Sequence, residues 1–82
     1  MLSSGTITVD LHGKNIYQAK VTIDACLRRV NGGTYRLRLV HGYHSGTALR
    51  DFIRTEYAAH PKVQRLLFND SGTTELVLRE YV

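Results

Sequence analysis

Apolar and polar positions alternate in some stretches of the chain and recur every three or four residues in others. These changes of period mark out six elements. In residues 6–12, Ile7, Val9 and Leu11 point one way while Thr6, Thr8, Asp10 and His12 point the other, which predicts a strand with one buried face that ends at Gly13. Over residues 15–31 the period changes. Ile16, Ala19, Ile23, Cys26, Leu27 and Val30 form the apolar stripe of an amphipathic helix. Asn15 is placed to cap it, with Gln18 in the capping-box position, and Gly32-Gly33 stops it. Lys20, Asp24 and Arg28 make an opposite row, read as a solvated face with modest ion pairing.

Alternation returns at residues 34–41, with Tyr35, Leu37 and Leu39 inward and Arg36 and Arg38 outward. A parallel strand covered on both faces would be apolar throughout, so this alternation predicts helices on one face only and a second face left open and basic. A second helix spans about residues 47–59, with Leu49, Phe52, Ile53 and Tyr57 buried. Ser45 or Thr47 caps it, and His60-Pro61 closes it. Two further strands, 63–68 and 74–79, flank Asn69-Asp70-Ser71-Gly72, a turn sequence that pairs them as an antiparallel hairpin. The order is βαβαββ, with right-handed crossovers expected for the first two connections. This is an α/β chain of the α+β two-layer kind: a mixed four-stranded sheet with both helices on one face.

Eighty-two residues allow a single core, so residues 6–82 form one domain and residues 1–5 are its loosely held lead-in. A hydrophobic content of 43% with 22% charged residues fits a globular fold. No apolar run reaches the ~18 residues of a membrane span. The N-terminus has no signal-peptide core, and a cytoplasmic location and a monomer are the defaults. The lone Cys26 cannot form an internal disulfide and reads as an inert thiol in the helix stripe. Eleven Lys and Arg against seven Asp and Glu leave a net charge of +4, compatible with a polyanionic partner.

The chemistry gathers at two places. Asp10 and His12 put a carboxylate and an imidazole on one side of a strand end, where the imidazole can act as a base and the carboxylate can orient it. The bland alternative is an Asp10 that simply caps a turn or the following helix. The stretch from His41 to Arg50 joins a strand to a helix through glycines, a setting in which backbone amides meet anions. Ligands of open α/β sheets collect at the carboxyl ends of parallel strands, so both places should share one rim. There Arg50 and loop amides would hold a phosphate and His12 or Asp10 would move a proton. Arg50 and Arg54 lie one turn apart and extend the basic surface from the loop, and Tyr43 is a candidate to stack on a base. By strict alternation, however, His41 has the buried parity and Asp10 and His12 the open one, so they meet only where the strand ends bend. A buried, hydrogen-bonded His41 that anchors its loop is the alternative reading. His12, His41, His44 and Asp10 match metal-ligand types but no tight metal-binding spacing, so no metal site is assigned. No cofactor is required by the pattern; Mg²⁺ and Mn²⁺ are the ions to test. His60 is read as a helix-end cation or a capping aid.

Val9-Asp10-Leu11-His12-Gly13, followed by a helix carrying Ala19, resembles the Leu-Asp-Leu-His-Gly opening of the Smr (small MutS-related) family. His41-Gly42 through Gly46, then Leu49-Arg50, resembles that family's His-Gly-x-Gly-x-Gly motif with Leu-Arg following, and His60-Pro61 also fits. The resemblance runs from about Thr6 to Leu78. It implies a βαβαββ fold similar to the C-terminal domain of bacterial translation initiation factor three, nucleic-acid binding and, in many members, endonuclease activity on DNA or RNA. Cleavage then maps to Asp10 and His12, and substrate binding to His41, Gly42, Gly46 and Arg50, with Tyr43, His44 and Arg54 beside them. The chain departs from the motif at His44, which replaces the middle glycine, and at Tyr43, where a basic residue is common. A Cβ there limits how closely backbone can approach a phosphate. The leading expectation is a stand-alone nucleic-acid-binding domain with endonuclease activity. The alternative is a non-catalytic RNA-, DNA- or ribosome-binding module, and the third is a structural or protein-interaction domain.

Overall fold

A computed structural model of the chain describes residues 5–42 and 47–79, with the backbone alone at Asn69. In chain order the elements are β1 (Thr6–Asp10), α1 (Ile16–Arg29), β2 (Arg36–Val40), α2 (Ala48–Glu56), β3 (Arg65–Asp70) and β4 (Thr73–Val77). The six elements match the expected order. The strands differ at their ends: β1 and β2 are shorter than the alternation suggested, and the last hairpin is shifted toward the turn. Strand pairing runs to Asp70 and resumes at Thr73, leaving Ser71-Gly72 between them. Asp70 accepts a hydrogen bond from the Gly72 amide at 2.9 Å, so the polar turn residue also serves as strand.

The sheet order is β1-β2-β4-β3. β1 and β2 are parallel, and β4 is antiparallel to both of its neighbours, β2 and β3. Two antiparallel steps make β3 parallel to β2. The carboxyl ends of β1, β2 and β3 and the β3–β4 turn therefore all lie along one rim.

Helix α1 starts as the sequence indicates. The Asn15 side chain accepts from the Gln18 amide at 2.8 Å, and the Gln18 side chain accepts from the Asn15 amide at 3.0 Å. Its buried positions are Ala19, Ile23 and Leu27, whereas Ile16 is exposed in the first turn. Ile23, Leu27, Ile53 and Tyr57 pack into one cluster with Leu11, Leu37, Leu39 and Leu76. The strand members of this cluster share one face, so both helices cover that face. Cys26 is partly buried against the same core. Ile7, expected inward, is exposed because it lies on the edge strand. Gly5, expected to be loose, is held: its carbonyl accepts from the amides of Tyr35 at 2.8 Å and Arg36 at 3.2 Å.

The opposite face is not simply basic. Register places Glu75 beside Arg38. Its carboxylate, buried at 2% exposure, accepts from Arg38 at 3.1 Å and meets Arg36 at 3.4 Å. The two arginines expected to be solvated thus neutralise a buried acid, and their stems help cover it.

The row Lys20, Asp24 and Arg28 also does more than meet solvent. Lys20 reaches Asp24 at 3.1 Å and Glu56 of α2 at 3.3 Å, and the buried Tyr57 hydroxyl donates to Asp24 at 2.7 Å. Burial raises the Asp24 carboxyl, but the hydrogen bonds from Tyr57 and Lys20 outweigh it, leaving its pKa below the ordinary 3.8. His60 stacks at a tilt on Tyr57, and its Nδ1 accepts the Lys62 amide at 3.1 Å just beyond the helix end.

Tyr57→Phe should cost about 1.5–3 kcal/mol at neutral pH, the range for a hydrogen bond to a charged group, read from denaturant melts. Because the Asp24 pKa is depressed on folding, its contribution exists above 3.8 and is lost as pH falls through the folded value, so wild type and variant should converge in acid. A constant difference at all pH values would contradict the ionic character of the bond.

Candidate functional site

β1 stops at Asp10, and the turn that follows brings His12 back over it. Asp10 Oδ1 accepts the His12 amide at 3.1 Å and the His12 ring Nδ1–H at 2.6 Å. Both side chains are exposed, at 62% and 72%. The carboxylate is therefore a turn cap and an orienter of the imidazole at once. A carboxylate oxygen can only accept, so Nδ1 carries the proton, and in the neutral tautomer Nε2 is the nitrogen that bears the lone pair. Nε2 has no hydrogen-bond partner among the described residues. The hydrogen bonds from the His12 side chain and then its backbone hold the Asp10 carboxyl below its ordinary value of 3.8.

The loop after β2 arrives beside this pair. Gly42 lies at φ +74°, a region that favours glycine, and a Cβ built on it would stand 3.6 Å from the His12 Cβ. The backbone at Gly42 thus bridges the parity gap between His41 and the Asp10–His12 pair. His41 itself turns inward, at 5% exposure. Its Nδ1 donates to the Gly42 carbonyl at 2.9 Å, and its Nε2 lies 3.0 Å from the Thr74 hydroxyl. The amides of His41 and Gly42 both donate to the Gly72 carbonyl at 3.0 Å, which fastens the loop to the β3–β4 turn.

The Thr74 hydroxyl also accepts from Arg54 Nε at 3.2 Å. The proton positions in this chain follow from its ends. Arg54 only donates and the Gly42 carbonyl only accepts, so with a neutral ring the Thr74 O–H points to His41 Nε2. Arg54 lies 4.0 Å over the Phe68 ring. Arg50, expected in the same ridge, is turned to its neighbour Asp51 at 3.2 Å. The Asp51 carboxyl is held below 3.8 chiefly by the hydrogen bond from Thr47, the residue at the α2 cap position.

The structure therefore brings together Asp10, His12, His41 and Gly42, with Arg54 reaching the same group through Thr74. Tyr43, His44 and Gly46, together with the candidate cap Ser45, lie outside the described residues, as do residues 1–4 and 80–82. Among the described residues no three His, Cys, Asp or Glu side chains group to hold a metal ion. His41 has both ring nitrogens engaged, and His44 of the metal set considered from the sequence lies outside the described residues. No described helix is long and apolar enough to cross a membrane. Sequence reading missed Gly72 and Thr74. The turn sequence pointed to Gly72, but nothing local marks Thr74, which matters only through its cross-strand placement.

No protein-family model and no curated protein matches the chain. Among solved structures, it is similar to the Smr domain of Thermus thermophilus MutS2, with 29% identity, a TM-score of 0.79, and coverage of 90% of this chain and 99% of that one.

Thr74→Val keeps the shape but removes the shared hydroxyl. It should cost about 1–3 kcal/mol, the range for leaving a buried partner unsatisfied, and raise amide exchange at His41 and Gly42. In carbon-detected NMR titration the Asp10 carboxyl should have its midpoint below 3.8 and shift upward in His12→Ala; identical midpoints would show that the pair does not form in solution.

Proposed function

This chain is an Smr domain, and we propose that it binds nucleic acid along the rim formed by the β1 and β2 ends and cleaves phosphodiester bonds there. One observation supports this most directly: the 2.6 Å hydrogen bond that fixes His12 on Asp10 and leaves Nε2 to bear the lone pair at an exposed strand end. Such a pair adds little to stability, since both of its side chains are exposed to competing water. Its geometry is that of an oriented base.

In this reading His12 Nε2 takes the proton of the attacking hydroxyl, from water or a ribose 2′-OH. The new P–O bond forms as the bond to the leaving oxygen breaks, and solvent protonates the leaving oxygen. Asp10 stabilises the imidazolium that results and holds the ring in place. The sequence stretch from His41 through Gly46, together with Arg50 and Arg54 of α2, holds the strand. Arg54 suits this role because its Nη groups meet no carboxylate among the described residues, while Arg50 must exchange Asp51 for a phosphate.

Purified protein should cut labelled RNA or DNA, tested with and without Mg²⁺ or Mn²⁺. Loss of a general base should lower the rate by roughly 10²–10⁴-fold in His12→Ala. Asp10→Asn should lower the rate without abolishing binding. Equal cleavage by wild type and His12→Ala would assign the activity to a contaminant. Binding that weakens with salt but brings no cleavage would leave a binding module. If neither polymer binds at low salt, the nucleic-acid reading fails.

A further inference from the structure

We propose that Phe68 is a stacking platform for an unpaired base, which makes single-stranded nucleic acid the preferred substrate; this inference rests on the nucleic-acid reading above. Phe68 is an aromatic side chain of the sheet at 58% exposure, against 44% for Ile7 on the other edge strand. Strand register explains how it comes to be displayed. Leu67 pairs with Glu75 and Asp70 with Thr73, so Phe68 and Asn69 together oppose the single residue Thr74. Two residues against one is a bulge, a device that re-aims a side chain and interrupts pairing at a strand edge. β3 is an edge strand, so nothing in the sheet flanks the ring on its outer side.

The ring is also held and electrically biased. The Arg54 guanidinium lies 4.0 Å over one face, and Arg54 is itself tied by its Nε to Thr74, a fully buried residue. With a cation held on one face, the exposed part of the ring is the surface a base would take, and the Nη donors lie beside it for the phosphate. A base in a duplex presents only its edges, whereas an unpaired base offers the flat face this ring can take.

Position supports the same assignment. Phe68 is near the carboxyl end of β3, on the rim that carries Asp10 and His12. The two are separated by three strand spacings, about 14 Å. A strand of a few nucleotides spans that distance along the rim, with one base on Phe68 and a phosphate near His12.

The test uses the full chain with short fluorescent single-stranded RNA and DNA oligonucleotides, a duplex of the same sequence, and single strands in which one abasic site is moved position by position. Wild type should prefer either single strand to the duplex, and an abasic site at one position should weaken binding about tenfold, within the range for one stacked base. Phe68→Ala should lose a similar factor on the intact strand and no longer sense that abasic site, whereas Phe68→Trp should retain both. The non-additivity separates stacking from a simple loss of Arg54 support, because a misplaced Arg54 would leave the abasic penalty unchanged. Circular dichroism and melting checks that Phe68→Ala is folded, as expected for an exposed position. Equal abasic penalties in wild type and Phe68→Ala, or equal affinity of wild type for single strand and duplex, overturn this inference while leaving nucleic-acid binding intact. Absence of binding to every probe overturns both.

Discussion

The Thr74 hydroxyl is the point on which the rim depends. It is fully buried, and it is shared between the His41 imidazole and the Arg54 guanidinium. With a neutral ring each group takes its role from the next: the arginine donates, the hydroxyl relays, and the imidazole accepts at Nε2 and donates from Nδ1 to Gly42. In a low-dielectric setting, such a chain is favourable when complete and costly when broken at any member. No described buried side-chain nitrogen or oxygen lacks a partner, so the chain is complete. It ties the loop after β2, the interior of β4 and helix α2 into one arrangement, and through Arg54 it also reaches the edge strand at Phe68.

Sheet order makes this possible. β4 lies between β2 and β3 and runs against both, so the β3–β4 turn comes back to the rim where the parallel strands end. The Gly72 carbonyl then receives both loop amides. A purely parallel arrangement would leave that position without a turn. The loop is thus fixed at its first two residues by backbone bonds and a buried side chain, while the Asp10–His12 pair beside it is built entirely from one local turn and stays exposed.

Net charge distributes unevenly over this frame. Arg36 and Arg38 are committed to Glu75, Arg50 to Asp51, and Lys20 to Asp24 and Glu56. These four cations balance these four acids, so the net +4 is carried by the remaining charged residues, of which Arg54 is the one tied to the rim through Thr74. That placement supports reading the helix side of the rim, rather than the open sheet face, as the surface for phosphates.

Local sequence determined every element whose signal is periodic or local: the alternation of Ile7, Val9 and Leu11, the Ala19–Ile23–Leu27 stripe, the Asn15–Gln18 cap and the Asp10–His12 pair. Each of these depends on residues a few positions apart, where period and short-range hydrogen bonding decide. The expected parallel strand order placed the two polar clusters on one rim, and the family motifs added the division between cleavage and binding. Tertiary structure decided the rest, because it depends on partners far apart in the chain. His41 turns inward because Thr74, thirty-three residues later, offers it a hydroxyl. Arg36 and Arg38 cease to be a free basic face because register sets Glu75 beside Arg38. Phe68, which reads as one more apolar strand residue, is displayed because the bulge puts two residues against one at an edge. Cross-strand register is a property of two segments at once, and no window along one of them contains it.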